Sequence, residues 1–267
     1  MENKVKNSEA EDKLHQLIAS YCEEAGEAQL PIEFRLVTNA TIRKRGAGDV
    51  LGLRLPNGKK RHTRLVFPKT PEDRFLCYMD EDYVLRCIEE ADLEYVGALG
   101  YELTRARLLI LYAEKTDRNC TPKLLISDEQ DQLMHDWIEH KAEYLGLYFM
   151  WKQIGVEDVQ QETIHEVVEK VIPEALKRVR IEVKKQTTEA VPEAMHLIAL
   201  LRACREVYPY ELGYEVVGPM LRHYGWVKSL YLMFSKYTRM EEMLAHFDEL
   251  KQMLDTEYPA YRINGSD

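Results

Sequence analysis

The run Val50-Leu51-Gly52-Leu53-Arg54-Leu55-Pro56-Asn57-Gly58-Lys59-Lys60-Arg61-His62-Thr63-Arg64-Leu65-Val66-Phe67 decides the fold class. Two apolar stretches, 50–55 and 62–67, flank Pro56-Asn57-Gly58-Lys59. Asn-Gly accepts the positive φ angles of a type I′ turn, so the spacing predicts a β-hairpin. Upstream, Ile32, Phe34 and Leu36 alternate with Glu33 and Arg35, which predicts a strand over 31–37. Thr41–Lys44 reads as a further short strand. Ahead of these, Leu14, Leu17, Ile18 and Tyr21 recur at helical spacing, so 9–26 reads as a helix that Gly26 ends.

Downstream the pattern turns helical. Thr70-Pro71-Glu72-Asp73 reads as a helix start: a hydroxyl cap, proline in the first turn, then acids near the positive helix end. From Phe75 to Lys115 a helix is expected, interrupted at Gly97 and Gly100, with Arg107–Tyr112 open to either helix or buried strand. Ser127 and Gln130 form a capping box for a helix to Lys152. A helix over 158–185 is expected to kink at Pro173. Others follow over 192–207 and, around Gly225, over 214–224 and 226–237. Thr238 with Glu241 is a second capping box, opening a last helix that carries Met240, Met243, Leu244, Phe247, Leu250 and Leu254. The expected fold is α+β. A small N-terminal module over 1–118, a hairpin-containing sheet with flanking helices, precedes a helical bundle over 122–267.

Composition sets the outer limits. The chain has 267 residues, 45% of them apolar, and a net charge of −10. That is ordinary globular composition and excludes both wholesale disorder and a uniformly basic packing protein. Five cysteines without a CxxC argue against a disulfide framework or a zinc ribbon and suit a reducing compartment. Residues 1–12 lack the apolar core of a signal peptide, and the longest strongly apolar stretch, 144–151, is too short for a bilayer. A soluble cytoplasmic protein is expected.

The charge is unevenly placed. Residues 1–34 hold three basic and eight acidic side chains, net −5. Residues 35–69 hold ten basic ones against Asp49 alone, net +9, which leaves −14 for the remainder. The candidate binding residues are Arg43, Lys44, Arg45, Arg54, Lys59, Lys60, Arg61 and Arg64, beside Gly46-Ala47-Gly48. A ribbon studded with Arg and Lys can follow a phosphate backbone, and glycines let backbone amides approach an anion. The same charges can face an acidic protein surface or the acidic helices of this chain. A second cluster, over 208–237, interleaves Tyr208, Tyr210, Tyr214, Tyr224, Trp226, Tyr231, Phe234 and Tyr237 with Arg222, His223, Lys228 and Lys236. It reads as bundle core or, alternatively, as an assembly surface that would make a homo-oligomer.

Signs of chemistry are sparse. Two ExxH pairs occur, Glu162 with His165 and Glu193 with His196. A ferritin-like metal site needs a further glutamate helix between such pairs, and the chain has no room for one, so no metal or cofactor is expected. Cys204 lies between Arg202 and Arg205, which favours a thiolate, but it also sits on the apolar stripe of Leu197, Leu200 and Leu201, as an inert core cysteine would. The order helix, strands, Gly48-Asp49-Val50, turn, Leu65-Val66-Phe67-Pro68-Lys69 resembles the core of PD-(D/E)XK nucleases. That resemblance implies magnesium bound at Asp49 and water activated beside Lys69. Phe67 stands where the second acid belongs, so Glu11, Glu23 or Glu33 would have to replace it. The leading expectation is a non-catalytic binding protein whose basic hairpin, 35–69, contacts nucleic acid or an acidic protein surface. The alternatives are the nuclease-like enzyme, active or degenerate, and a structural assembly subunit acting through 208–237.

Overall fold

The structure, a computed structural model, describes residues 2–26, 30, 32–44, 62–68, 74–117, 129–154, 157–207 and 224–261. It is α+β, with helices far outweighing a three-stranded sheet. The chain forms two compact units. The first contains 1–126 together with 145–153; the second contains 127–144 together with 154–267.

The first unit opens on α1 (Glu2–Ala25), which Gly26 ends with φ +68°, a left-handed conformation that glycine adopts without strain. Strand β1 (Ile32–Val37) follows, with Glu33 and Arg35 exposed as their alternation predicts. The short strand expected at 41–44 is instead a helical turn, α2 (Asn39–Lys44). Its start is built by Thr38, whose carbonyl accepts the Thr41 N–H at 2.8 Å. Strand β2 (Thr63–Val66) falls on the stretch expected as the hairpin's second arm; the first arm and the Asn-Gly turn, and with them the hairpin itself, lie outside the described residues.

Phe75–Asp80, expected to be helical, forms β3, the central strand. It pairs parallel with β1, Ile32 opposite Phe75 and Val37 opposite Asp80. It pairs antiparallel with β2, Leu65 opposite Cys77. Both of its faces are covered, so Phe75, Cys77, Tyr78 and Met79 are all buried and the alternation that announces a strand is absent. Then come α3 (Glu81–Glu89) and α4 (Glu94–Lys115), the latter taking in Arg107–Tyr112 as helix. Helix α4 is buried on nearly every side, which removes its amphipathic signature too. It packs on β2, while α3 packs on β3 and on α1.

Helix α5 (Glu129–Lys152) gives Leu145–Lys152 to the first unit and its earlier turns to the second. In the first unit Gly146 lies against the α4 backbone: a Cβ there would sit 2.8 Å from the Tyr101 nitrogen and 2.9 Å from the Gly97 carbonyl oxygen. Gly97 and Gly100, which weaken the helix reading of α4, are thus where the two backbones meet.

In the second unit, α6 (Glu157–Glu166), a π-helical turn (Val167–Val171) and α7 (Ile172–Lys185) run on without a break. Pro173 has no N–H to donate, and its ring would collide with the carbonyl four residues back. The wider π turn ahead of it accommodates the ring, where the sequence predicts a kink. Helices α8 (Ala190–Val207), α9 (Gly225–Lys236), α10 (Met240–Ala245) and α11 (Phe247–Glu257) complete the bundle. Of the second expected capping box only the carboxylate half forms, one residue later, because the N-cap is Arg239, whose side chain cannot accept a hydrogen bond. Glu242, not Glu241, accepts the backbone N–H groups of Thr238 and Arg239, at 2.9 and 3.0 Å. The last helix is interrupted at His246, whose ring stacks on Tyr237. Trp137, Leu197, Val227, Leu230, Phe234 and Leu250 are fully buried, each contributing about 1.5–3 kcal/mol of apolar burial. Among the described residues no helix is long and apolar enough to cross a membrane.

Candidate functional site

The described ends of the basic segment meet at one carboxylate. Asp80 closes β3 and is 4% exposed. Its backbone N–H donates to the His62 carbonyl at 2.7 Å, which brings the chain into β2 beside the last residue of β3. Its Oδ2 accepts the Asn39 side-chain amide at 2.7 Å and lies 3.1 Å from His62 Nδ1. Asn39 begins α2, and His62 directly follows Arg61. Asp80 therefore ties together the two elements that the basic segment joins. Tyr83, on the first turn of α3, stacks flat on the His62 ring, centroids 4.0 Å apart and planes 7° apart. Burial pushes the Tyr83 hydroxyl well above the usual phenol range, so it stays protonated.

A second polar group lies under β2. Thr63 Oγ1 donates to Glu102 Oε1 at 2.9 Å, and Glu102 Oε2 stands 3.6 Å from Arg105 NH1. Glu102 and Arg105 are 4% and 2% exposed. The Arg105 guanidinium also lies 5.9 Å from the Phe67 ring centre. Burial pushes the neighbouring Cys77 thiol well up, and the Glu102 charge adds to that; it is a packed thiol rather than a nucleophile.

The candidate binding residues separate on this geometry. Arg64 is 9% exposed and donates to the Ile42 carbonyl of α2 at 3.3 Å, so it lies inside the unit rather than on a binding surface. Its neighbours Leu65 and Thr63 face α4, and alternation turns Arg64 to the other covered face. Arg43 and Lys44 are in the last turn of α2. Arg45, Arg54, Lys59, Lys60 and Arg61 lie outside the described residues, as do Asp49 and Lys69 of the nuclease-like reading. Phe67, at the place of that family's second acid, is buried against Phe75 with centroids 5.4 Å apart. Glu11, Glu23 and Glu33 are exposed, and Glu33 pairs with Arg35.

In the second unit Trp226, Phe234 and Tyr237 of the aromatic cluster are buried and Tyr224 and Tyr231 half-buried, while Tyr208, Tyr210, Tyr214, Arg222 and His223 lie outside the described residues. Phe234 packs on His140 and Trp226 stacks on Tyr258, while Tyr237 is 5% exposed. Cys204 is buried and its thiol is pushed up to about 12 by burial, so the flanking arginines do not make it a thiolate. The two ExxH pairs are split between other partners. His165 is exposed and pairs with Glu169; His196 pairs through Nδ1 with Glu143, and Glu193 accepts Arg178 Nε at 2.9 Å. Among the described residues no group of three or more His, Cys, Asp or Glu could hold a metal ion.

Two histidines of this unit carry opposite shifts. His140 is 1% exposed; its Nδ1–H donates to the Met195 carbonyl at 2.8 Å, and its Nε2 accepts Arg202 NH1 at 3.4 Å. Burial, helped by the Arg202 charge, holds it well below 6.5 and neutral. Burial works against charge on His196 too, but the Glu143 carboxylate outweighs it and lifts the imidazole above 6.5. A depressed histidine costs stability as pH falls below 6.5; a raised one contributes fully below 6.5 and loses that contribution as pH rises through its folded value. Glu143→Gln should therefore drop the His196 midpoint below 6.5 in an NMR titration. It should cost about 1.5–3 kcal/mol at pH 6 and much less at pH 8, read from denaturant unfolding.

Comparisons with protein family models, with curated proteins and with solved structures return no match for this chain.

Proposed function

We propose that the chain is a non-catalytic nucleic-acid-binding protein that holds a phosphate backbone against the basic segment between α2 and β2. The carrying observation is the joining of a charge pattern to an anchored frame. Seven cations (Arg43, Lys44, Arg45, Arg54, Lys59, Lys60 and Arg61) stand against Asp49 alone over 43–61, between two elements that both hydrogen-bond to Asp80. Four carboxylates of the unit already have partners: Glu24 with Lys152, Glu33 with Arg35, Glu90 with Arg86, and Glu102 with Thr63 and Arg105. These four are therefore committed elsewhere, and the net +9 of residues 35–69 supports an external counter-charge for the seven cations. Arrays of Lys and Arg bind phosphates with strong salt dependence, because each contact releases condensed counterions.

The test is salt-titrated binding of short duplex and single-stranded oligonucleotides. Binding at low salt should weaken linearly on a log–log plot. The Lys59→Ala/Lys60→Ala/Arg61→Ala variant should flatten the slope by about 2–3. No binding at low salt, or an unchanged slope in the variant, would falsify the proposal. Tighter binding of poly-glutamate than of either oligonucleotide would transfer the segment to an acidic protein surface.

A further inference from the structure

We infer that Arg202, Arg205 and Tyr231 form an oxyanion-binding site in the second unit, suited to the phosphate group of a small phosphomonoester. The site uses no residue of the basic segment and does not rest on the nucleic-acid reading above.

The starting point is a buried charge without a counter-charge. Arg202 is 7% exposed, and burial pushes its guanidinium below the usual arginine range. Its partners are uncharged. Its NH1 donates to the neutral His140 Nε2 at 3.4 Å, and its guanidinium carbon lies 4.4 Å from the centre of the Tyr144 ring. Among the described residues no carboxylate forms an ion pair with it. Other arginines drawn inward are compensated: Glu102 stands 3.6 Å from Arg105, and Glu193 accepts Arg178 Nε at 2.9 Å. A guanidinium withdrawn from water costs stability unless an anion meets it.

The neighbours of Arg202 hold it in place and add donors. His140 donates its Nδ1–H to the Met195 carbonyl at 2.8 Å, which leaves Nε2 as the acceptor that fixes one arm of the guanidinium fork. Arg205 follows three residues later on the same helix, α8, so the two arginines occupy adjoining positions on its surface. Arg205 is exposed, and its NH1 donates to the Tyr231 hydroxyl at 3.1 Å. Tyr231 comes from α9, is half-buried, and lies near enough for its oxygen to favour the charge of both arginines. Because that oxygen accepts from Arg205, its own hydrogen is available to a ligand. The acid that acts on both arginines is Glu206, which is exposed and pairs with neither. A phosphomonoester presents three strong acceptor oxygens, one for each of Arg202, Arg205 and Tyr231, where a carboxylate presents two.

The test follows the Arg202 Nε–H signal of the full chain by ¹H–¹⁵N NMR at pH 7.5, assigned by its absence from Arg202→Lys. Inorganic phosphate is titrated at constant ionic strength. The signal should shift and saturate. Arg205→Ala, a change at an exposed side chain, should weaken phosphate at least about tenfold, and Tyr231→Phe about threefold. The Lys59→Ala/Lys60→Ala/Arg61→Ala variant should respond at Arg202 as the wild type does, whatever it does to oligonucleotide binding, so this site and the nucleic-acid reading fail separately. The inference is overturned by an Arg202 signal that ignores phosphate or never saturates, by equal affinity in Arg205→Ala, or by loss of the response in the triple variant. Saturation by acetate at lower concentration than phosphate overturns the assignment to a phosphomonoester.

Discussion

Gly146→Ala should destabilise the first unit by about 2–3 kcal/mol, seen as a lower denaturant midpoint. The sign makes the experiment informative. In an exposed helix interior, glycine to alanine gains about 1 kcal/mol, because alanine leaves less backbone entropy to lose. Here the added methyl would sit 2.8 Å from the Tyr101 nitrogen, 2.9 Å from the Gly97 carbonyl oxygen and 3.1 Å from the Tyr101 Cα. All three are backbone atoms of α4, and a helix backbone cannot move aside as a side chain does. The two helices must separate, and contacts such as Tyr21 on Phe149 and Phe149 against Gly100 loosen with them. Gly100→Ala should cost less, its methyl meeting the Phe149 ring at 3.2 Å and the Gly146 Cα at 3.3 Å. Gly97→Ala should cost least, because Met150 Sδ at 3.0 Å ends a flexible side chain. A stabilised Gly146→Ala protein would show that α4 and α5 do not meet as closely as described.

Glu102→Ala should cost about 3–5 kcal/mol, the usual penalty for leaving one half of a buried ion pair. Arg105 is 2% exposed, so water cannot take the place of the carboxylate beside its guanidinium, and Thr63 Oγ1 loses its acceptor. Arg105→Met should cost less, since the methionine stem refills the volume beside Phe67 and Thr63 still donates to Glu102. The double variant Glu102→Leu/Arg105→Met should recover much of the loss, because a packed apolar pair avoids desolvating two charges. A double-mutant cycle on denaturant midpoints reads the coupling directly. Additive single losses would mean that the two charges do not stabilise one another.

These features differ in how far they can be read without a fold. Helix α1, strand β1 and the strand at 63–66 follow from local periodicity, and the end of α1 from the positive φ that Gly26 permits. So do α8 and the approximate place of the Glu242 cap. Each depends on residues that lie close together in the chain. Strand β3 was hidden because its periodicity vanishes when both faces are covered; the helix start read at Thr70-Pro71-Glu72-Asp73 lies outside the described residues. The π turn at Val167–Val171 has no local signature beyond the proline that follows it, Pro173.

For the candidate site the division is similar. The concentration of cations over 35–69 is a property of the sequence, and it directs attention to that segment whatever the fold. Arg64 shows the limit of that reading, because counting charges does not say which face of β2 a side chain takes. Asp80 gave almost no signal, appearing only as the acid that ends an apolar run ahead of Glu81 and Asp82. Its role follows from three segments, 39, 62 and 80, brought to one end of the sheet by a parallel β1–β3 pairing and an antiparallel β2–β3 pairing. Sequence alone determined where the charge lies, because net charge is additive along the chain. Only the tertiary structure decided which groups share it, because hydrogen bonding and burial depend on distances between residues that are remote in sequence.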